Sequence, residues 1–278
     1  MIPRRSFLAG AAALASVSRI ARAEARQIAL RGNLEQGALV IGDAGAPAQV
    51  TVDGNAVLVS PEGLFAFGFS YDADKPTAIE ATFADGSKVS RQAAPLARRY
   101  QIQRVNGLPE ATVNLSPEAL ARSHREAETI RAARQRDSGG TGFSEPLEWP
   151  FPGIVSSVYG SQRIDNGVPK APHLGVDIAA PEGTPIHAAA DAVVAISDDY
   201  FLDGGFTLLD HGHGVSTCYL HQSKRMVKAG DAVRRGDVIG LVGQTGRATG
   251  PHTHWGLNWF QTPLDPSLSA VTPEPPKA

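Results

Sequence analysis

Cysteine is almost missing: Cys218 is the only one in 278 residues. No disulfide can form within the chain, so the redox compartment cannot be read from bridges. A cysteine-rich structural zinc site is excluded too. Positive charge is not in excess: 26 Lys and Arg face 28 Asp and Glu, a formal net charge of −2. That argues against a general nucleic-acid binder, which carries a basic face. Past the N-terminus no stretch is apolar enough to span a bilayer. What is present, 42% hydrophobic and 19% charged residues, suits a soluble globular chain of two modest domains or one large one. The 29 glycines and 20 prolines favour turns and strands over long helices.

The N-terminus has its own pattern. Arg4 and Arg5 precede Ser6-Phe7-Leu8 and a short Ala/Leu-rich run, and a small-x-small site follows at Ala21-Arg22-Ala23. This reads as a cleaved export signal over residues 1–23, too short to be a membrane span. The paired arginines resemble a twin-arginine signal. A periplasmic location follows, with no stable membrane anchor. Removing residues 1–23 takes away four arginines and no acid, so the mature chain is more acidic.

Residues 24–105 show short β-like runs broken by turns: "QIAL", "ALVIG", "AQVTV", "AVLVS", "LFAFGFS", "AIEATFA" and "YQIQRV". Asp53-Gly54, Glu62-Gly63 and Asp85-Gly86 punctuate them. In "AIEATFADG" the alternation places Ala78, Glu80, Thr82 and Ala84 on one face. Seven short strands predict an immunoglobulin-like β sandwich without a cluster of chemical residues. A linker over 106–145 contains a predicted helix, 117–136. Ser116 caps it, Pro117 suits its first position and Glu118 its first turn. Its apolar stripe is thin, so a connecting helix is expected, with His124 solvated. "DSGGTGFSE" leads to a second β-rich domain over 146–266, and 267–278 reads as a disordered tail.

Seven of the eight histidines fall in the second domain. In "GPHTHWGL", His252 and His254 are two apart, so on a strand they share a face. Both could reach one metal, or one could bind while the other works on a substrate. Imidazole is a good zinc donor and a carboxylate commonly completes a hydrolytic site. The best carboxylate is Asp177, four residues after His173. A catalytic zinc needs three protein ligands and an open position, with a further group to move a proton.

"PHLGVDIAAPEGTPIHAAADAVV", "LLDHGHGVSTCYLHQS", "VKAGDAVRRGDVIGLVGQTGRATGPHTHWGL" and "PLDP" together resemble the lysostaphin-like, LytM-type zinc endopeptidases of bacterial cell walls, peptidase family M23. The likeness covers most of residues 146–266. The first domain is similar to the all-β N-terminal domain of some Gram-negative members. The resemblance implies a mostly antiparallel β domain with an open groove, a duplicated hybrid motif. It implies Zn²⁺ held by His173, Asp177 and His254, with His252 as general base. His221 would orient the water or stabilise the oxyanion, and the two spare histidines could share these roles. The substrate would be a peptidoglycan cross-link or stem.

The other histidines take plainer roles: His211 hydrogen bonding, His213 exposed, His187 a strand side chain. Cys218 is expected to pack as a small apolar group, and a Cys-His protease would leave the His173/Asp177 and His252/His254 pairs without a role. Three rival classes are a carrier of hybrid-barrel type, a catalytically silent regulator of another wall hydrolase, and a metal store or sensor. The carrier needs a lysine in a tight hairpin, which Lys224 and Lys228 do not supply. The regulator reading is disfavoured because the ligand set and both helper histidines are present. A store or sensor would need a closed coordination sphere.

Overall fold

The computed structural model describes residues 26–106, 115–165 and 167–277. The expected export signal lies outside them. The chain starts with β1 (Ala29–Arg31), β2 (Leu39–Asp43), β3 (Ala48–Val52), β4 (Asn55–Val57), β5 (Leu64–Gly68), β6 (Thr77–Phe83) and β7 (Lys88–Ala93). They form a three-stranded sheet, β1-β2-β5, and a four-stranded one, β4-β3-β6-β7. Val40, Phe65 and Phe67 of the first share one apolar cluster with Val50, Val52, Ile79 and Phe83 of the second. Burying each such side chain stabilises the fold by about 1.5–3 kcal/mol. In β6 the odd positions Thr77, Ile79, Ala81 and Phe83 are buried and the even ones face outward, as the alternation predicts.

Strand β2 serves two cores. Val40 points into the N-terminal cluster. Leu39 and Ile41, with Ala66 of β5, point the other way, into a cluster that includes Trp255 and Leu264. The two halves of the chain are therefore packed through a shared apolar layer. The Arg98 guanidinium crosses the same boundary to pair with Asp265 at 2.8 Å, where the carboxylate is almost fully buried.

Two strands differ from the sequence reading. Strand β7 belongs to the N-terminal module but has no apolar run. It is an exposed edge strand with only Ala93 buried. "YQIQRV" does form a strand, β8 (Ile102–Val105), but it pairs in parallel with β10 (Gln162–Asp165) of the second half. Strand β10 turns back into β11 (Val168–Pro169), so the stretch before His173 is a hairpin.

The helix α1 (Pro117–Arg134) has Ser116 Oγ accepting from the Ala119 amide and has no buried residue. Arg122 and Glu126 pair at 2.7 Å. Among the described residues no helix is long and apolar enough to cross a membrane.

The second half is built on β9 (Ile154–Ser157), β12 (Val176–Ala179), β14 (Ala192–Tyr200), β15 (Gly204–Gly212), β16 (Val215–Gln222), β18 (Ala232–Val233), β20 (His252–Trp259) and β21 (Thr262–Leu264). The order is β18-β14-β15-β16-β20-β12-β9, with β21 beside β20. A smaller sheet joins β13 (Pro185–His187), β19 (Val238–Leu241) and β17 (Lys224–Arg225). One face of the large sheet carries the main core, with Val176, Ile178, Leu209, Tyr219, Trp255 and Leu257. On the opposite face Ile196, Leu208 and Cys218 pack under Ile130 and Ala133 of α1. Residues 267–272, placed with the tail in the sequence reading, are bound into the domain: Leu147 and Val271 exchange backbone bonds with Ser269 and Leu147, and Trp149 donates to Thr272 O.

Candidate metal centre

Three neighbouring strands bring Ser157, Asp177 and His254 into one row. Asp177 lies opposite His254 on one side and opposite Ser157 on the other. His173 arrives from the irregular segment before β12. Its amide donates to Ser161 O and its carbonyl accepts from the Gly160 amide. Gly175, between His173 and Asp177, lets the chain pass close to the His254 ring. A Cβ there would stand 2.4 Å from the His254 ring.

The three side chains meet in a tight triangle. His173 Nε2 is 2.8 Å from His254 Nδ1, and Asp177 Oδ1 is 3.0 Å from each. Among the described residues this is the metal-competent grouping, with its donor atoms within 4.8 Å of one another. Two imidazole nitrogens and a carboxylate oxygen suit zinc. A tetrahedral zinc with bonds of about 2.0–2.2 Å sets its ligand atoms roughly 3.3–3.6 Å apart, so the triangle needs only to spread by a few tenths of an ångström. Burial pushes the Asp177 carboxyl upward. The contacts with the His173 and His254 imidazoles outweigh it and hold the group well below the usual carboxylate range. It is a carboxylate ready to bind a cation.

The ligands have their own supports. With His173 Nε2 in the triangle, Nδ1–H donates to Ser157 Oγ at 2.8 Å. The Ser157 hydroxyl then donates to Gln103 Oε1 at 2.6 Å. Gln103 comes from β8, so the segment leaving the N-terminal module orients one corner of the triangle. Such outer hydrogen bonds fix ring orientation and tautomer. Sequence reasoning missed Ser157 and Gln103, because neither type of residue is a metal ligand and β8 is far from the motif.

His221 and His252 stand beside the triangle, their ring centroids 4.7 Å apart. His221 Nδ1–H donates to Thr245 O at 2.8 Å, and His252 Nδ1–H to Gly250 O at 2.8 Å. In the neutral tautomer these contacts select, Nε2 is the ring nitrogen without a proton. Burial, then repulsion from His252 and His254, pushes His221 down to about 3. The neutral form of His221 is thereby favoured. Regular alternation would turn it to the Tyr219 side, into the core. Its left-handed backbone, φ 64°, turns it to the face of His254. Both rings line a cavity of about 290 Å³ together with Asp177, His254 and Arg247.

The other three histidines of the second domain make structural contacts, while His124 is exposed on α1. Buried His211 bonds Asp191 O and Thr217 Oγ1. His213, expected to be exposed, is buried at 4%. It bonds Leu58 O and stacks on Phe143 at 3.9 Å, because the N-terminal module covers it. His187 ends β13 and bonds Gly236 O. Cys218 is buried and free.

The description Peptidase family M23 matches residues 171–266. A Pseudomonas aeruginosa protein of known crystal structure, assigned as a peptidase M23, is 32% identical with a TM-score of 0.67. The match covers 85% of this chain and 94% of that one. The peptidoglycan DD-endopeptidase ShyA of Vibrio cholerae is 47% identical over 87 residues, which are 31% of this chain and 20% of that protein. The DD-carboxypeptidase/endopeptidase Mpg of Neisseria meningitidis is 43% identical over 103 residues, 37% of this chain and 24% of that one. The chain thus matches about a fifth to a quarter of the length of these two curated relatives. The His173–Asp177–His254 triangle lies inside the matched region, and the likeness to the Pseudomonas protein covers 85% of this chain: the chain belongs to peptidase family M23.

Proposed function

We propose that this protein is a zinc-dependent endopeptidase that hydrolyses peptide bonds in peptidoglycan cross-links or stems. The observation that carries the reading is the His173–Asp177–His254 triangle with two further histidines whose Nδ1 atoms are already committed to carbonyls. When bound, zinc supplies a Lewis acid that acidifies water and polarises the scissile carbonyl. His173, Asp177 and His254 hold it. His252 accepts the proton of the attacking water at Nε2 and returns it to the leaving amine, a role worth about 10²–10⁴ in rate. His221, kept neutral by burial, orients that water by accepting a hydrogen bond at Nε2. This favours the orienting role over oxyanion stabilisation, which needs an Nε2–H.

In this reading the N-terminal sheets form an immunoglobulin-like sandwich, the second domain is a duplicated hybrid motif with an open groove, and export by the twin-arginine route delivers the protein to the periplasm. The bond is the link between D-alanine and the diamino acid of a Gram-negative wall. The relatives named for DD-endopeptidase activity support that choice. A silent wall-binding regulator is the rival, and it is disfavoured by the complete set of ligands and helpers. The test is digestion of purified peptidoglycan by zinc-loaded mature protein, zinc-stripped protein and His254→Ala. Zinc-dependent cleavage lost in the variant is expected. An inert zinc-loaded protein that stimulates a separate wall hydrolase would replace this reading with the regulator.

A further inference from the structure

The site leaves one strong cation without an assignment. Arg247 lines both cavities that flank the metal triangle, one of about 290 Å³ and one of about 390 Å³. Its backbone is firmly held. The Arg247 amide donates to Leu202 O at 2.8 Å. Gly246 before it has φ 70° and lies so close to the β14–β15 turn that a Cβ would meet Leu202 O at 2.4 Å. Thr245 accepts from the Gly205 amide, donates to Gln222 O and offers its carbonyl to His221. The loop is thereby locked to the helper histidine. The guanidinium has no hydrogen bond or ion pair among the described residues; its charge reaches the buried Asp203 carboxyl and works against the larger effect of burial there.

The two cavities differ in charge. The larger one holds Lys170 and Asp203, whose carboxyl burial pushes upward. In the smaller one Arg247 is the only Lys or Arg, and Asp177, committed to the triangle, is the only acid. An anion entering the smaller cavity therefore meets a guanidinium, polar Gln103 and Ser156, and no free carboxylate. A planar guanidinium fork matches a carboxylate in two parallel hydrogen bonds.

We propose that Arg247 forms a carboxylate-binding subsite in this smaller cavity and reads the free carboxylate of the substrate residue whose amine leaves. The inference rests on the hydrolase reading above and deepens it. In a link from D-alanine to the amine of a diamino acid, the carbon bearing that amine also bears a free carboxylate. That carboxylate carbon stands three bonds from the scissile carbonyl carbon, so its binding group must lie beside the metal ligands. A terminal amino acid has the same feature. A mid-chain residue, such as one inside a glycine bridge, does not, because its carboxyl is spent in the next peptide bond. Arg247 thus selects bonds at chain ends and branch points over ordinary mid-chain bonds.

The test uses two cross-linked muropeptide dimers, identical except that the amine-side carboxylate is free or a primary amide. The zinc-loaded mature protein should favour the free acid in kcat/KM by about 30–100-fold, the size of a lost charge-assisted pair. Arg247→Ala should make the two dimers equivalent, with zinc content and melting temperature matching the wild type. Arg247→Lys should restore part of the preference, since it keeps charge but not the fork. No preference in the wild type, or an undiminished one in Arg247→Ala, overturns the inference. If the wild type cleaves neither dimer, the hydrolase reading fails, and calorimetric binding of the same two dimers decides the subsite. Tighter binding of the acid that disappears in Arg247→Ala supports it; equal binding overturns it.

Discussion

The second domain carries two sets of histidines on one sheet face, and their surroundings differ. His173 and His254 converge with Asp177 to within 3.0 Å, and His173 is held from behind by Ser157 and Gln103. His221 and His252 stand 4.7 Å apart by ring centroid, each tied only to a backbone carbonyl. Strand β20 contributes one member to each set from positions two apart. The comparison teaches that neighbouring imidazoles are divided by whether a ring nitrogen reaches Asp177: Nε2 of His173 and Nδ1 of His254 do, each at 3.0 Å. In His254, Nδ1 is itself a triangle atom. In His221 and His252 it is spent on a carbonyl, which in the proposed reaction leaves Nε2 to handle protons.

The largest effects should come from the triangle. His173→Ala and Asp177→Asn should each abolish zinc binding, and activity should fall at least about 10³-fold with it; metal analysis beside turnover reads both. The second set should behave otherwise. His252→Ala should lower kcat by about 10²–10⁴-fold while zinc stays at one per chain. Loss of metal in this variant would erase the division.

The supports behind His173 should have an intermediate effect. Ser157→Ala should weaken zinc about 10–100-fold, read by chelator competition, and Gln103→Ala, one bond further out, should cost less. His221 also sets a pH dependence. It titrates near 6.5 when unfolded and at about 3 in the fold. Its stabilising share is therefore present above pH 6.5 and is lost as pH falls from there toward 3. Acid melts of zinc-free protein should show a shallower decline in His221→Phe than in the wild type. The smallest effect should belong to His187→Gln, outside both sets, with zinc affinity and kcat within about twofold, as for ordinary surface substitutions.

Much of this was legible in the sequence. The phrases around His173, Asp177, His221 and His252–His254 carry the family resemblance, and strand alternation places His252 and His254 together. The strands from "ALVIG" to "AIEATFA" were readable because each has an inward apolar row. Strand β7 was not, since an edge strand can be polar and its pairing comes from β6. The sequence reading put β8 with the N-terminal run, because a strand's composition does not name its partner. The partner is β10, whose Gln162 lies opposite Ile102 from 60 residues further along the chain. The turn of His221 into the site depends on a left-handed backbone that no alternation rule supplies. His213 was misjudged because its cover, Leu58, lies 155 residues away.

The most direct test is zinc-dependent digestion of purified peptidoglycan, with products weighed by mass spectrometry and His254→Ala run beside His252→Ala. The account predicts zinc-dependent products from the wild type, none from His254→Ala, which loses zinc, and formation about 10²–10⁴-fold slower in His252→Ala, which retains it. Full cleavage by zinc-free protein, or equal zinc loss in both variants, would contradict it.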